Sequence, residues 1–198
     1  MKINKLFLGL TLLVMLVSSS VAFAATISPG QWIVYSGDWR IEDGSIISES
    51  PSNTNTNAYM ELAQIGPIMT YEWTIKFGET SVAFGPAAGM HFLGNDATNS
   101  FRGVSYCVFQ DRTFIRLYRT TGSALGKVGD FPTPEVSVGD VHSYKVTFDT
   151  NTGVLTIYRD GELIGSWTDS DPLTGNIVSL RAGGTVAEFS DVRITSGL

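Results

Sequence analysis

The stretch His142–Trp167, HSYKVTFDTNTGVLTIYRDGELIGSW, decides the fold. Tyr144, Val146 and Phe148 alternate with Ser143, Lys145 and Thr147. Leu155 and Ile157 then alternate with Val154, Thr156 and Tyr158 in a run rich in β-branched residues. A period of two marks a strand with one buried face. Asn151-Thr152-Gly153 separates the first two strands, and Asp160-Gly161 separates the second from a third. Asp-Gly readily takes the positive φ angles of a two-residue hairpin turn, so the stretch reads as three antiparallel strands.

The same period runs outward from there. Ile68–Phe77 (IMTYEWTIKF) puts Tyr71, Trp73, Ile75 and Phe77 on one side and Thr70, Glu72, Thr74 and Lys76 on the other. A sheet with one core face and one wet face is implied. Gln31–Ser36, the hairpin Trp39–Glu42 and Ser45–Glu49 about Asp43-Gly44, Ala58–Ala63, Val82–Gly85, Ala88–Leu93, Arg102–Gln110, Arg112–Thr120, Asn176–Ala182 and Val186–Ile194 read as further strands. Pro51–Asn57, Gly94–Ser100 and Thr168–Gly175 read as polar loops, and Thr121–Val138 as a long irregular one. About a dozen short strands separated by turn signals predict an all-β, two-sheet antiparallel sandwich.

Of 198 residues, 43% are hydrophobic and 16% charged, with 21 Gly and a formal net charge of −6. No basic cluster is present. Nucleic acid and anionic membranes both require one, so neither is expected as a partner. Lys2 and Lys5 precede the apolar run Leu6–Val17, and Ala22-Phe23-Ala24 fits a small-x-small cleavage site. Residues 1–24 therefore read as a secretory signal peptide cleaved after Ala24. The mature chain 25–198 is then expected to be one domain without a membrane span, secreted or periplasmic. No cysteine in the leader offers a lipid anchor. The single cysteine, Cys107, lies in a strand and reads as a small buried hydrophobe, so the core must hold without an internal disulfide.

Strand, Asn-Thr-Gly turn, then Leu155-Thr156-Ile157-Tyr158-Arg159-Asp160-Gly161-Glu162-Leu163-Ile164-Gly165 and a closing strand Val186–Ile194 resemble the concanavalin A-like lectin/glucanase superfamily. The segment Gly37–Ile46, with its early Trp39, resembles the opening strands of the same group. Laminin G-like and 3-keto-disaccharide hydrolase-like domains are the nearest resemblances, covering about residues 32–195. The resemblance implies a jelly roll. It leaves the function open among sugar binding, protein adhesion and sugar hydrolysis.

The residues themselves favour binding. Laminarinase-like members carry a Glu-x-Asp-x-x-Glu strand, and this sequence has none; Glu61, Glu72 and Glu188 each stand alone on a strand. Retaining hydrolysis needs paired carboxylates, so catalysis is not expected. No Gly-x-Ser-x-Gly occurs, and the two histidines, His91 and His142, are far apart in sequence. The resemblance to laminin G-like domains raises a rim calcium, for which Asp169 with Asp171, or Asn95 with Asp96, are the available oxygens. Neither spacing matches a calcium loop, so no cofactor is expected. A sugar needs an aromatic platform for its C–H face and planar polar groups for its hydroxyls. On Arg112–Arg119, Ile115 and Leu117 read as core, which leaves Arg112, Phe114, Arg116 and Tyr118 on the other side. The predicted binding set is therefore Arg116 and Tyr118, with Asn95, Asp96 and Arg102 as a polar rim. His91 joins it because it opposes Met90 and Phe92 on its strand and so faces a groove. The expected partner is a carbohydrate or glycan held on a concave sheet face, with a protein partner of laminin G-like type as the alternative.

Overall fold

The computed structural model describes residues 23–26 (backbone only), 31–51, 55–81, 85–96, 103–122 and 125–197. Among them are strands β1 (Phe23–Thr26), β2 (Ile33–Ser36), β3 (Trp39–Glu42), β4 (Ser45–Ser48), β5 (Asn55–Glu61), β6 (Ile68–Thr80), β7 (Ala88–Gly94) and β8 (Val104–Gln110). They continue as β9 (Phe114–Thr121), β10 (Leu125–Pro132), β11 (Val141–Asp149), β12 (Val154–Arg159), β13 (Glu162–Thr168), β14 (Ile177–Gly183) and β15 (Thr185–Gly197).

The Asp-Gly turns form as their chemistry requires. Asp160 and Gly161 take φ of 53° and 82°, and Asp43 and Gly44 take 48° and 83°, the left-handed pair that matches the twist of a hairpin. The first closes β12 onto β13, the second β3 onto β4. An eight-stranded sheet runs β13-β12-β11-β6-β15-β4-β3, with β1 also on β15. A seven-stranded sheet runs β10-β9-β8-β7-β14-β5-β2, and every pairing is antiparallel.

Alternation places the core between the sheets. Tyr71, Trp73, Ile75 and Phe77 of β6 and Tyr144, Val146 and Phe148 of β11 meet Met90, Phe92, Tyr106, Val108, Ile115, Leu117, Val178 and Leu180 of the other sheet. Tyr71 stacks on Phe92 with centroids 4.3 Å apart, and Tyr106 meets Phe148 at 5.1 Å. Each such ring removed from water contributes roughly 2–3 kcal/mol. All four tryptophans serve packing: Trp32 and Trp73 are buried, while Trp39 and Trp167 lie against the core.

Two expected loops are strands in part. Thr121–Val138 contains β10, which pairs with β9 along Leu125–Pro132. Its alternation is hidden by a bulge between Lys127 and Gly129 and by Gly126, where a Cβ would sit 2.6 Å from the Arg119 carbonyl. Beyond it, Thr133 and Val136 donate to the carbonyls of Thr113 and Arg112, lacing this segment to the β8–β9 turn. Asn55-Thr56-Asn57, expected in an exposed loop, opens β5; Thr56 and Asn57 are buried. The expected strand at Val82–Gly85 falls largely outside the described residues, and Gly85 itself is not in a strand. So does the expected leader, except that β1 spans the expected cleavage point, with Ala24 opposite Thr195 and Ala25 opposite Ile194.

Candidate functional site

The outer face of the seven-stranded sheet is polar yet largely buried. Cross-strand register sets its side chains in two rows. One runs Asn57, Arg181, Gly89, Phe109, Arg116, Asp130; the next runs Tyr59, Ser179, His91, Cys107, Tyr118, Lys127. None of these side chains belongs to the apolar core cluster. Even so, Asn57, Arg181, Phe109, Ser179, His91 and Cys107 are each at most 7% exposed. Each sits opposite a core residue of its own strand, as period two demands.

Gly89 shapes the first row. A Cβ there would lie 2.1 Å from the Val108 carbonyl. Its missing side chain lets Arg181 reach across β7, so that the guanidinium lies 4.3 Å over the Phe109 ring. Arg181 also donates from Nε (3.0 Å) and Nη2 (2.6 Å) to Asn55 Oδ1. Burial lowers the Arg181 pKa despite the opposing pull of Cys107 and Tyr118. Burial also pushes the Cys107 thiol up to about 11. His91 is held neutral: burial first, and the Arg181 charge second, put its pKa well below the ordinary value. Its Nδ1 meets Ser105 Oγ at 2.9 Å, and Ser105 Oγ meets Thr120 Oγ1 at 3.1 Å.

The layer opens toward β9 and β10. Arg116 contacts Asp111 at 2.9 Å and Asp130 at 3.4 Å, and Lys127 pairs with the same Asp130. Burial opposes the Arg116 charge, but the Tyr118 side chain and the two carboxylates outweigh it, and the pKa rises. The half-exposed end of the face thus presents a phenol ring framed by fixed donors and acceptors.

The structure brings three predicted residues, His91, Arg116 and Tyr118, onto this one face. His91, expected to face a groove, is 1% exposed and lies in the buried layer between its cross-strand neighbours Ser179 and Cys107. Asn95 and Asp96 lie beyond the end of β7, with Asn95 about 13 Å along the strand from His91, and the Asn95 amide donates to the Val104 carbonyl. Arg102 lies outside the described residues. Sequence reasoning missed Asn57, Phe109, Asp111, Asp130, Ser179 and Arg181. The parity of β14 was the available signal: Val178, Leu180 and Ala182 alternate with Ser179, Arg181 and Gly183, and an arginine inside such a run needs polar company.

The Asp169 carboxylate of the rim pair Asp169–Asp171 is engaged within the chain. Asp169 Oδ2 accepts from the Tyr106 hydroxyl and from Arg119 Nε, both at 2.6 Å, and Oδ1 accepts from the Asp171 amide at 3.0 Å. Among the described residues, no three His, Cys, Asp or Glu side chains gather as a metal cluster. Two other recesses lie away from the layer. A groove of about 490 Å³ runs over β6, β11 and β15, lined by Glu72, Lys145, Asp191 and Arg193. A cavity of about 740 Å³ lies between the loops at one end, lined by Gln64, Ile65, Asn151 and Asn176. Neither contains a predicted binding residue.

No protein-family model matches the chain, and no curated protein matches it in sequence. Solved structures do match. The carbohydrate-binding module CBM66 from Bacillus subtilis superposes with a TM-score of 0.65 at 19% identity, covering 82% of this chain and 94% of that one. The Emp47p carbohydrate recognition domain gives 0.68 at 12% identity, covering 86% and 90%. A Lotus tetragonolobus seed lectin gives 0.60 at 13% identity, covering 89% and 97%. At such identities the likeness establishes architecture, and the chain has the concanavalin A-like lectin sandwich fold.

Proposed function

We propose that this chain is a secreted carbohydrate-binding module, non-catalytic, that holds a sugar on the outer face of the seven-stranded sheet. The polar layer carries the reading. A binding face for sugar needs ring surfaces and fixed hydrogen-bonding groups rather than a broad apolar patch. Tyr118 supplies the ring at the open end, and Arg116, Asp130 and Lys127 supply donors and acceptors for hydroxyls. His91 and its neighbours form the buried layer behind them, and Asn95, Asp96 and Arg102 are kept as the rim read from the sequence. Asp111 and Asp130 are both engaged by Arg116 instead of standing as a free pair across a groove, which favours binding over hydrolysis. Solved proteins of the same fold include carbohydrate-binding modules and lectins, which supports the assignment. Secretion rests on the leader. Cleavage after Ala24 leaves Ala25 and Thr26 to pair with Ile194 and Arg193.

One observation favours protein adhesion as the second reading. The edge strand β2 exposes Ile33, Val34 and Tyr35, and β3, at an edge of the other sheet, exposes Ile41. Residues 25–198 on a glycan and polysaccharide array, with and without a calcium chelator, test both. Glycan binding that survives chelation is the expected result. No binding to any glycan, together with capture of a protein partner that Val34→Lys abolishes, transfers the function to the β2 edge.

A further inference from the structure

The cavity of about 740 Å³ at one end of the sandwich is built from three connections: the segment between β5 and β6, the β11–β12 turn and the β13–β14 loop. Buried Gln64 braces it. Gln64 Nε2 donates to the carbonyls of Gly175 (3.3 Å) and Ile177 (3.1 Å), and Oε1 accepts from the Tyr71 hydroxyl (3.0 Å) and the Leu93 amide (2.8 Å). The walls are also bonded to one another. Thr150 Oγ1 donates to the Gly66 carbonyl at 2.9 Å, the Thr150 amide to the Pro67 carbonyl at 2.9 Å, and the Leu62 amide to the Asn176 carbonyl at 2.7 Å. Walls tied in this way hold the recess open before a ligand arrives, which lowers the ordering cost of binding.

Two kinds of surface line it. Along 63–67 the chain turns Gln64 inward and Ala63, Ile65 and Pro67 outward, and Ile65 is 80% exposed. These three make an aliphatic wall. The other connections contribute Asn151, Thr174 and Asn176, all exposed, whose side chains form no hydrogen bond among the described residues. No lining residue is charged. An ionic ligand would find no counter-charge there, and a wholly apolar one would dehydrate two amides and a hydroxyl without bonding them. A neutral ring with an apolar C–H face and hydroxyls around its edge suits both surfaces. The recess also adjoins the rim read from the sequence. A Cβ on Gly175 would lie 2.2 Å from the Gly94 carbonyl, and Asn95 and Asp96 follow Gly94 directly.

Resting on the sugar-binding reading above, we propose that this recess is a second subsite, for an uncharged sugar unit, and that one polysaccharide engages both it and the face at Arg116 and Tyr118. Once one site holds the polymer, the second contact is intramolecular, so the pair binds more tightly than either site alone.

The test uses residues 25–198 with neutral oligosaccharides of glucose, mannose, galactose and xylose and with the matching polysaccharides. An oligosaccharide that binds should shift the side-chain amide signals of Asn151 and Asn176 in NMR spectra, besides those around Tyr118. Ile65→Glu changes an exposed side chain, so the fold is retained while the recess gains a charge. It is expected to abolish the Asn151 and Asn176 shifts, to leave those around Tyr118, and to weaken polysaccharide binding about tenfold or more. Asn176→Ala should weaken it in the same direction. Oligosaccharides that move only the Tyr118 region, with polysaccharide affinity unchanged in Ile65→Glu, overturn the second subsite alone. Asn151 and Asn176 signals that move with 1-octanol and with no sugar overturn it in favour of an apolar ligand. A chain that binds no glycan at all overturns the sugar-binding reading with it.

Discussion

Tyr106 donates a 2.6 Å hydrogen bond to the carboxylate of Asp169, and through it the core aromatic cluster is tied to the loop after β13. Arg119 reaches the same oxygen from β9, so two strands of the seven-stranded sheet share one buried anion carried by the loop that leaves β13 of the other sheet. Burial disfavours the charge on Asp169, yet the bonds from Tyr106, the Asp171 amide and Arg119 outweigh it and lower its pKa. Asp169→Ala should cost roughly 2–4 kcal/mol at neutral pH, read from the urea midpoint. Because the folded pKa is depressed, this stability is present above the unfolded value of about 3.9 and is lost as pH falls through the folded value. The variant should lack that part of the acid slope; a slope equal to wild type contradicts the role given to Asp169.

His91 gives a second slope at higher pH. It is neutral when folded and gains a proton when unfolded, around pH 6.5. Its contribution is therefore full above that pH and falls as acid is added. The ring should show no titration in NMR spectra from pH 8 down to about 5.5, a window that follows from the ordinary histidine value. A midpoint near 6.5 in the folded chain contradicts its burial in the polar layer.

Gly153 tests the turn that identifies the fold. Its φ is +73°, and a Cβ would fall 1.8 Å from the Asp169 carbonyl carbon's oxygen. The Asp169 amide also donates to the Gly153 carbonyl at 2.9 Å, so the β11–β12 turn is clasped to the β13–β14 loop. Gly153→Ala should lose at least about 2 kcal/mol in thermal or urea unfolding. A loss under about 0.5 kcal/mol, the scale of a neutral surface change, contradicts the contact.

Cys107 is fully buried and its thiol pKa is raised to about 11. A thiol reagent at pH 8 should leave the folded chain unmodified and react at once in denaturant. Rapid modification under native conditions shows that the outer face of β8 is open.

The fold was legible because the strands that build the core have one polar face. β6 and β11 keep strict alternation, and the turns at Asp43-Gly44 and Asp160-Gly161 leave no choice of hairpin. The site was legible only where it meets solvent. Arg116 and Tyr118 stand out because Ile115 and Leu117 between them are plainly core. Arg181, Phe109 and Asn57 did not, since strands β5, β7, β8 and β14 are buried on both faces and their second face mixes polar with apolar residues. Strand β10 was hidden for a different reason: a bulge and two glycines that meet neighbouring groups closely break its period. Such contacts arise between segments distant in sequence, where local pattern has no purchase.

In the proposed function, sugar sits over Arg116 and Tyr118. Using the glycan that binds best on the array, affinities should be measured for wild type, Arg116→Ala, Tyr118→Ala and Lys145→Ala. The last removes a charge from the groove on the opposite sheet. A loss of about 10- to 100-fold is expected for the first two variants, the scale of a lost charged or ring contact, with folding retained and Lys145→Ala unchanged. Full affinity in Arg116→Ala and Tyr118→Ala, with loss in Lys145→Ala, would place the sugar on the other sheet and contradict that placement.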